Sequence, residues 1–176
     1  MTKKGLEYLR KVQDKFKKGI PNIDFHIHTC WTDGQNSVQA MYRQACHLGL
    51  ECILFSEHAR KTSSAWFPKF AAEVRSLPEK PCLALVGVET RVVDFAGNIN
   101  LDEDMVSLCD LVVGSVHRFP DNSGGMRPFE TLLAEEAIEI EFKLACSLLE
   151  NPKVDILGHP LGISITKFGI NSPFKK

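Results

Sequence analysis

Side chains that bind metal ions recur at regular intervals along this chain. Five such positions are separated by 30, 31, 28 and 42 residues. They are His28, His58, Glu89, His117 and His159, and His26 stands two residues before the first of them. Imidazole and carboxylate groups in combination suit Zn²⁺, Mn²⁺ or Fe²⁺. The spacing therefore predicts a metal centre assembled from distant parts of the chain.

The residue types indicate how such a centre would be built. His26 and His28 lie on a β-prone segment, and side chains two apart on a strand point to the same side. Glu89 has two carboxylate oxygens and can therefore bridge two metal ions. His47 lies inside a helical pattern, so we interpret it as structural.

Apolar segments and amphipathic segments alternate, and they must position these side chains. Strands are predicted over 23–27, 51–56, 82–88, 110–116 and 154–158, and helices over 4–18, 37–48, 65–77, 102–108 and 128–150. No helix is predicted in the tail. Continuously apolar strands are typical of parallel sheets covered on both faces. The order predicts an α/β fold, in which the carboxyl ends of the strands meet on one ligand-binding face.

Composition limits the classes of function. The chain has 176 residues, with 21 Lys and Arg against 22 Asp and Glu, so its formal net charge is −1. This balance disfavours a nucleic-acid binder that relies on bulk charge. A helix over 1–20 followed by one metal-binding domain over 21–176 is the expected organisation.

The expected compartment is the cytoplasm. The chain has no apolar run long enough for a membrane span, and no apolar signal-peptide segment follows its basic start. The six cysteines are scattered without a C-x-x-C pair, which favours buried, reduced thiols.

Five ordered motifs resemble those of the polymerase and histidinol phosphatase (PHP) superfamily. The first is Asp24-Phe25-His26-Ile27-His28-Thr29 followed by Thr32-Asp33-Gly34, and the second is Ser56-Glu57-His58. The others are Gly87-Val88-Glu89, Gly114-Ser115-Val116-His117 and Leu157-Gly158-His159-Pro160. The resemblance covers residues 22–162 and implies a distorted seven-stranded parallel (β/α) barrel with two or three divalent metal ions.

The resemblance also implies a distribution of ligands. His26, His28 and Glu89 would hold one ion, and Glu89, His117 and His159 would hold a second, with Glu89 bridging. This second set is complete in the sequence.

Three further side chains receive roles from the same resemblance. His58 would belong to a third site, and Asp33 would assist that site or orient a ligand. Asp24 would orient a histidine from behind.

The chain departs from the family pattern after His159. Family members usually carry a further Asp-x-His motif, which would complete the first and third sites. No such motif follows here, and at about 30 residues per unit the chain has room for five strands. We therefore expect an incomplete barrel.

The leading hypothesis is a metal-dependent phosphoesterase that hydrolyses a small, histidinol-phosphate-like phosphomonoester. Arg118 directly follows His117 and can bind a phosphate through two parallel hydrogen bonds. Arg118 and Asp33 are therefore the predicted catalytic side chains besides the metal ligands.

Three alternatives stay open. The chain could be an impaired or truncated metal-binding relative. It could be one part of a barrel that another chain completes, with a homo-oligomer covering the exposed sheet edges. A metal-dependent amidohydrolase is the weakest alternative.

Overall fold

The structure is a computed structural model that describes residues 4–16, 19–121, 123 and 125–170. Its helices are α1 (Lys4–Phe16), α2 (Val38–His47), α3 (Phe67–Arg75), α4 (Glu103–Leu108), α5 (Ala134–Glu150) and α6 (Gly162–Phe168). Its strands are β1 (Ile23–Ile27), β2 (Cys52–His58), β3 (Leu83–Arg91), β4 (Leu111–Ser115), β5 (Phe119–Pro120), β6 (Met126–Arg127) and β7 (Ile156–Leu157). The predicted first helix also included residues 17 and 18, which lie outside the described residues.

Five strands form one sheet in the order β1-β2-β3-β4-β7. The pairs β1/β2 and β2/β3 are parallel, and the register places His58 beside Glu89. Asp110 N donates to Val86 O at 2.7 Å and Val92 N donates to Ser115 O at 3.1 Å, so β3 and β4 run in the same direction. The predicted α/β class and the five strands of an incomplete PHP-type barrel are confirmed.

The chain divides into two compact units. The first contains Met1–Glu89 and Leu101–Val113, and the second contains Thr90–Asn100 and Gly114–Lys176. Fully buried side chains of the first core include Val38, Phe55, Phe67, Phe70 and Leu85, and those of the second include Phe119, Ala137, Leu144 and Leu148. Burial of such side chains stabilises each unit by about 1.5–3 kcal/mol per large residue.

Local signals define the helices of the first unit. The Ser37 side chain accepts a hydrogen bond from Ala40 N at 3.2 Å and so begins α2, as predicted. Asp102 does the same for α4, because its Oδ1 accepts from Met105 N at 2.9 Å. Gly49, with φ of +70°, ends the turn after α2 in a conformation that glycine favours.

The long helix predicted over 128–150 is wrong at its beginning. Strands β5 (Phe119–Pro120) and β6 (Met126–Arg127) pair antiparallel, and one 3-10 turn follows at Phe129–Thr131. Leu132 is buried in an extended conformation, with φ of −117° and ψ of 145°, which separates that turn from α5. Pro128 therefore begins a single turn that tertiary packing interrupts.

The prediction that the tail contains no helix is also wrong, because α6 forms there. Its N-terminal amides are bound by the buried carboxylate of Glu141 in α5, not by a neighbouring side chain. Glu141 Oε1 accepts from Ile163 N at 3.1 Å, and Oε2 accepts from Ser164 N at 2.8 Å and Ser164 Oγ at 2.6 Å. This cap comes from more than twenty residues away, so no local pattern announces it.

The structure also shows the state of the cysteines and the length of the helices. No disulfide joins the six cysteines, of which Cys52, Cys82 and Cys109 are buried as expected. Cys30 and Cys146 are exposed, contrary to the expectation of buried thiols. None of the helices in the described residues is long and apolar enough to cross a membrane.

Candidate metal centre

Four predicted ligands of the first unit converge at the carboxyl ends of β1, β2 and β3. Glu89 is the common partner: Oε1 lies 3.3 Å from His26 Nε2, and Oε2 lies 3.4 Å from His28 Nε2 and 3.0 Å from His58 Nδ1. Asp33 lies at the outer side, with its oxygens 3.7 Å from His28 Nδ1 and 3.4 Å from His58 Nε2. We call these five residues the histidine cluster.

Backbone geometry brings the histidine cluster together. His26 and His28 stand two apart at the end of β1, and their ring centroids are 5.1 Å apart. His58 and Glu89 are register partners on β2 and β3. Asp24 Oδ1 accepts from the His26 backbone N at 3.1 Å, so Asp24 holds the backbone near the end of β1; its orienting of a histidine ring stays a prediction.

The cluster changes the proton affinity of its imidazoles in opposite directions. The hydrogen bond that His58 donates to the Glu89 carboxylate raises the pKa of His58. Burial, followed by the charge of His58, lowers the pKa of His28. The two rings stack with centroids 4.4 Å apart, so charge repulsion disfavours protonation of both rings at once.

The histidine cluster fits a divalent metal ion. Ligand atoms of His28, His58 and Glu89 all lie within 4.8 Å of one another. His28 Nδ1 is buried and has no hydrogen-bond partner among the described residues, while the Glu89 side chain is only 1% exposed. A cation bound among these groups would neutralise the buried carboxylate and use imidazoles as neutral donors, which is the protonation state that metal binding requires.

A second pair of predicted ligands lies in the second unit. His117 and His159 approach with their Nε2 atoms 3.3 Å apart and their ring centroids 5.1 Å apart. His159 and Leu161 both have positive φ, at 26° and 64°, so the backbone after β7 turns sharply and turns again before α6. Arg118 follows His117 and is exposed.

Comparison with known proteins decides the family. The family model described as "PHP domain" matches residues 24–165, which is most of the chain. The chain belongs to the PHP domain family. The resemblance drawn from the five motifs is thus confirmed.

Curated relatives of this PHP domain are named probable phosphatases. The chain is 30% identical over 141 residues to one of Thermoanaerobacter sp. (strain X514), covering 78% of the chain and 53% of that relative. Identity is 29% over 141 residues to one of Clostridium novyi (strain NT), with 78% and 53% coverage. It is 24% over 141 residues to one of Acetivibrio thermocellus, with 78% and 54% coverage. The chain spans about half the length of these relatives.

Sequence reasoning missed the importance of Glu57 in this PHP domain. Glu57 is fully buried at the end of β2, where Oε1 accepts from Thr29 N at 2.7 Å and Oε2 accepts from the Thr32 hydroxyl. Burial raises its pKa. Glu57 therefore fastens the loop that leads from His28 to Asp33. A glutamate that ends an otherwise apolar strand was the available signal.

The same loop is shaped by close backbone contacts. Thr29 O accepts from Thr32 N at 3.1 Å and Gly34 N at 2.9 Å. A Cβ at Gly34 would lie 2.3 Å from His28 O, so any side chain there would displace the end of β1. The Thr32-Asp33-Gly34 motif thus sets the position of Asp33 through backbone packing.

The predicted residues divide between the two units. The histidine cluster unites His26, His28, His58, Glu89 and Asp33 in the first unit. His117, Arg118 and His159 belong to the second. The sharing of one metal ion by Glu89, His117 and His159 stays a prediction. His47 is exposed in the last turn of α2.

Proposed function

We propose that this PHP domain is a metal-dependent phosphoesterase that hydrolyses a small phosphomonoester. The observation that carries the proposal is the convergence of three imidazoles on one buried carboxylate, Glu89. The names of the relatives, probable phosphatases, support the reaction class. A histidinol-phosphate-like substrate is the finer form of the proposal.

The metal-binding residues have distinct tasks in this proposal. His26, His28, His58 and Glu89 hold Zn²⁺, Mn²⁺ or Fe²⁺, and two or three ions are proposed in all. His117 and His159 contribute a further pair of imidazole donors. Bound divalent ions supply a water of lowered pKa and polarise the phosphoryl oxygens. Asp33 orients His28 and His58 from the outer side.

Arg118 has the task of neutralising the phosphate. A guanidinium group can bind two phosphoryl oxygens at once through its planar set of N–H donors. Because Arg118 adjoins His117, it places this charge beside a predicted metal ligand. Charge built up on the phosphoryl oxygens is thereby stabilised, which is the main contribution a protein makes to phosphoryl transfer.

We further propose a cytoplasmic protein whose substrate is a small phosphorylated molecule, with no membrane partner; the near-neutral net charge disfavours a nucleic-acid partner without excluding one. Self-association of the chain is part of this proposal. The side chains of Phe142 and Leu149, two turns apart on α5, are 63% and 64% exposed, and they offer an apolar surface for a second copy.

Phosphate release from 4-nitrophenyl phosphate in the presence of Mn²⁺ or Zn²⁺ tests the function. We expect Glu89→Gln and His117→Ala to reduce kcat/KM at least about 100-fold, because each removes a metal ligand. The matched controls are Glu150→Gln and His47→Ala, which alter exposed residues of α5 and α2 and should keep the rate. Full activity of Glu89→Gln would contradict the proposed metal centre. If the wild type does not hydrolyse the ester, the alternative hypothesis of an impaired metal-binding relative is favoured.

A further inference from the structure

A positively charged cleft lies beside His117 within the second unit. It has a volume of about 500 Å³, and its walls include His117, Arg118, Met126, Arg127, Phe129 and Lys167. Ligand sites for small molecules typically have volumes of about 300–1,000 Å³. We call this space the basic cleft.

The basic cleft carries cations besides Arg118. Arg118 and Lys167 are exposed at its walls, and Arg127 Nη2 lies 2.7 Å from Glu136 Oε1. Glu130 is the one carboxylate that lines the cleft among the described residues. With Arg127 balanced by Glu136, and Arg118 assigned to the reacting phosphate, Lys167 is a further cation on the cleft wall.

The wall that carries Lys167 is firmly built. Lys167 lies on α6, whose first turn is bound by the buried carboxylate of Glu141. Phe168 packs edge to face on Phe129 at 6.3 Å, and Phe129 packs in the same way on Phe119 at 5.5 Å. The last turn of α6 is therefore fixed against the apolar side of the basic cleft.

The basic cleft also has apolar lining residues. Met126, Pro128 and Phe129 line it, and Met126 and Phe129 are partly exposed. Such a surface accommodates the carbon body of a ligand, while cations bind its charged groups. The cleft thus offers an arginine next to a predicted metal ligand, apolar lining residues and a further lysine.

We propose that the basic cleft selects phosphomonoesters that carry a second anionic group, a carboxylate or another phosphate, on an apolar or planar body. The reacting phosphate lies at His117 and Arg118, and the second anionic group binds Lys167. Lys167 is then a specificity-determining residue. This inference rests on the proposed phosphoesterase function, because that function places the first phosphate. It replaces the histidinol-phosphate-like substrate, whose second charged group is a cation, with an ester that carries a second anion.

Binding of non-hydrolysable ligands tests the inference independently of turnover. Isothermal titration calorimetry with Mn²⁺ present would compare phenylphosphonate with 4-phosphonobenzoate, which differs only by a carboxylate on the far side of the ring. We expect the wild type to bind 4-phosphonobenzoate at least about fivefold more tightly. Lys167→Gln should bring the two affinities to within about twofold.

Lys69→Gln is the matched control, since Lys69 is an exposed lysine on α3 and the change in net charge is the same. It should keep the wild-type preference. Equal affinities for the two ligands in the wild type, or an undiminished preference in Lys167→Gln, would overturn the inference. A third ligand, 1,4-benzenediphosphonate, separates the two sources: tighter binding of the diphosphonate indicates a second phosphate, and tighter binding of the benzoate indicates a carboxylate.

Phosphate release from phenyl phosphate and 4-carboxyphenyl phosphate separates this inference from the function on which it rests. Hydrolysis of both esters with equal kcat/KM would overturn the selectivity and leave the phosphoesterase intact. A binding preference that depends on Lys167, without any phosphate release, would overturn the phosphoesterase and keep the cleft as an anion-selective site.

Discussion

In each unit, one buried glutamate holds a backbone segment next to the candidate site. The two sites differ in their central charge, which is a carboxylate in the first and a group of cations in the second. In the first unit, Glu57 binds the loop between His28 and Asp33. In the second, Glu141 binds the first turn of α6, three residues after His159. The first site gathers imidazoles around the carboxylate of Glu89, whereas the second surrounds an open cleft with cations.

The difference separates anchors from ligands. In the hydrogen bonds described above, Glu57 and Glu141 accept only from backbone amides and hydroxyl groups. These two carboxylates therefore position the backbone. Glu89, equally buried, faces three imidazoles that can exchange protons for a cation. The partners of a buried carboxylate, more than its burial, therefore indicate whether it stabilises the fold or belongs to a candidate metal centre.

Removing the charge of Glu89 should have the largest effect on metal binding. Glu89→Gln keeps the side-chain volume but loses an anionic oxygen, so we expect its affinity for Mn²⁺ or Zn²⁺ to fall at least about 100-fold. Equilibrium dialysis followed by elemental analysis measures this, with Glu150→Gln as control. Undiminished metal content in Glu89→Gln would show that Glu89 is not a metal ligand.

The same substitution should distinguish the two anchors. Both Glu141 oxygens face backbone N–H groups, so Glu141→Gln must turn its own amide N–H toward one of them and leave a buried donor unsatisfied. We expect a loss of about 2 kcal/mol in the free energy of unfolding. In Glu57→Gln, the new amide can donate to the Thr32 hydroxyl while its oxygen still accepts from Thr29 N, so the loss should stay below about 1 kcal/mol.

Urea unfolding followed by circular dichroism compares these two variants with the wild type. We expect the free energy of unfolding to be highest for the wild type, lower for Glu57→Gln and lowest for Glu141→Gln. Equal losses in the two variants would contradict the assignment of distinct partners to the two carboxylates.

How far the sequence determines the structure also differs between the units. In the first, Ser37, Asp102 and Gly49 act within four residues of the elements they begin or end, so a local pattern predicts α2 and α4 closely. The spacing of metal-type residues likewise predicts the histidine cluster, because parallel strands bring their ends together.

In the second unit the decisive contacts are distant in sequence. The cap of α6 comes from Glu141, and the interruption before α5 comes from the burial of Leu132. The sequence did not indicate Lys167 as a site residue, because no helix was predicted to carry it. The role of Glu57 escaped because its partners, Thr29 and Thr32, are recognised only once the loop is folded.

Helix caps give the smallest expected effects and contrast the units once more. Ser37 caps α2 with its side chain, so Ser37→Ala should lower the free energy of unfolding by about 1 kcal/mol. At the corresponding position of α5, Leu133 has the extended backbone of a cap, with φ of −82° and ψ of 157°, but makes no side-chain cap bond and is 74% exposed. Leu133→Ser should therefore stabilise the protein by up to about 1 kcal/mol.

The two changes should move the urea midpoint in opposite directions, and the double variant Ser37→Ala, Leu133→Ser should return close to the wild type, because the sites are independent. A destabilising Leu133→Ser would show that the exposed leucine contributes more by apolar contact, for instance with a second copy of the chain, than a serine contributes by capping. Repeating the measurement at a tenfold lower protein concentration distinguishes these cases, since only a lost intermolecular contact makes the difference between the variant and the wild type depend on concentration.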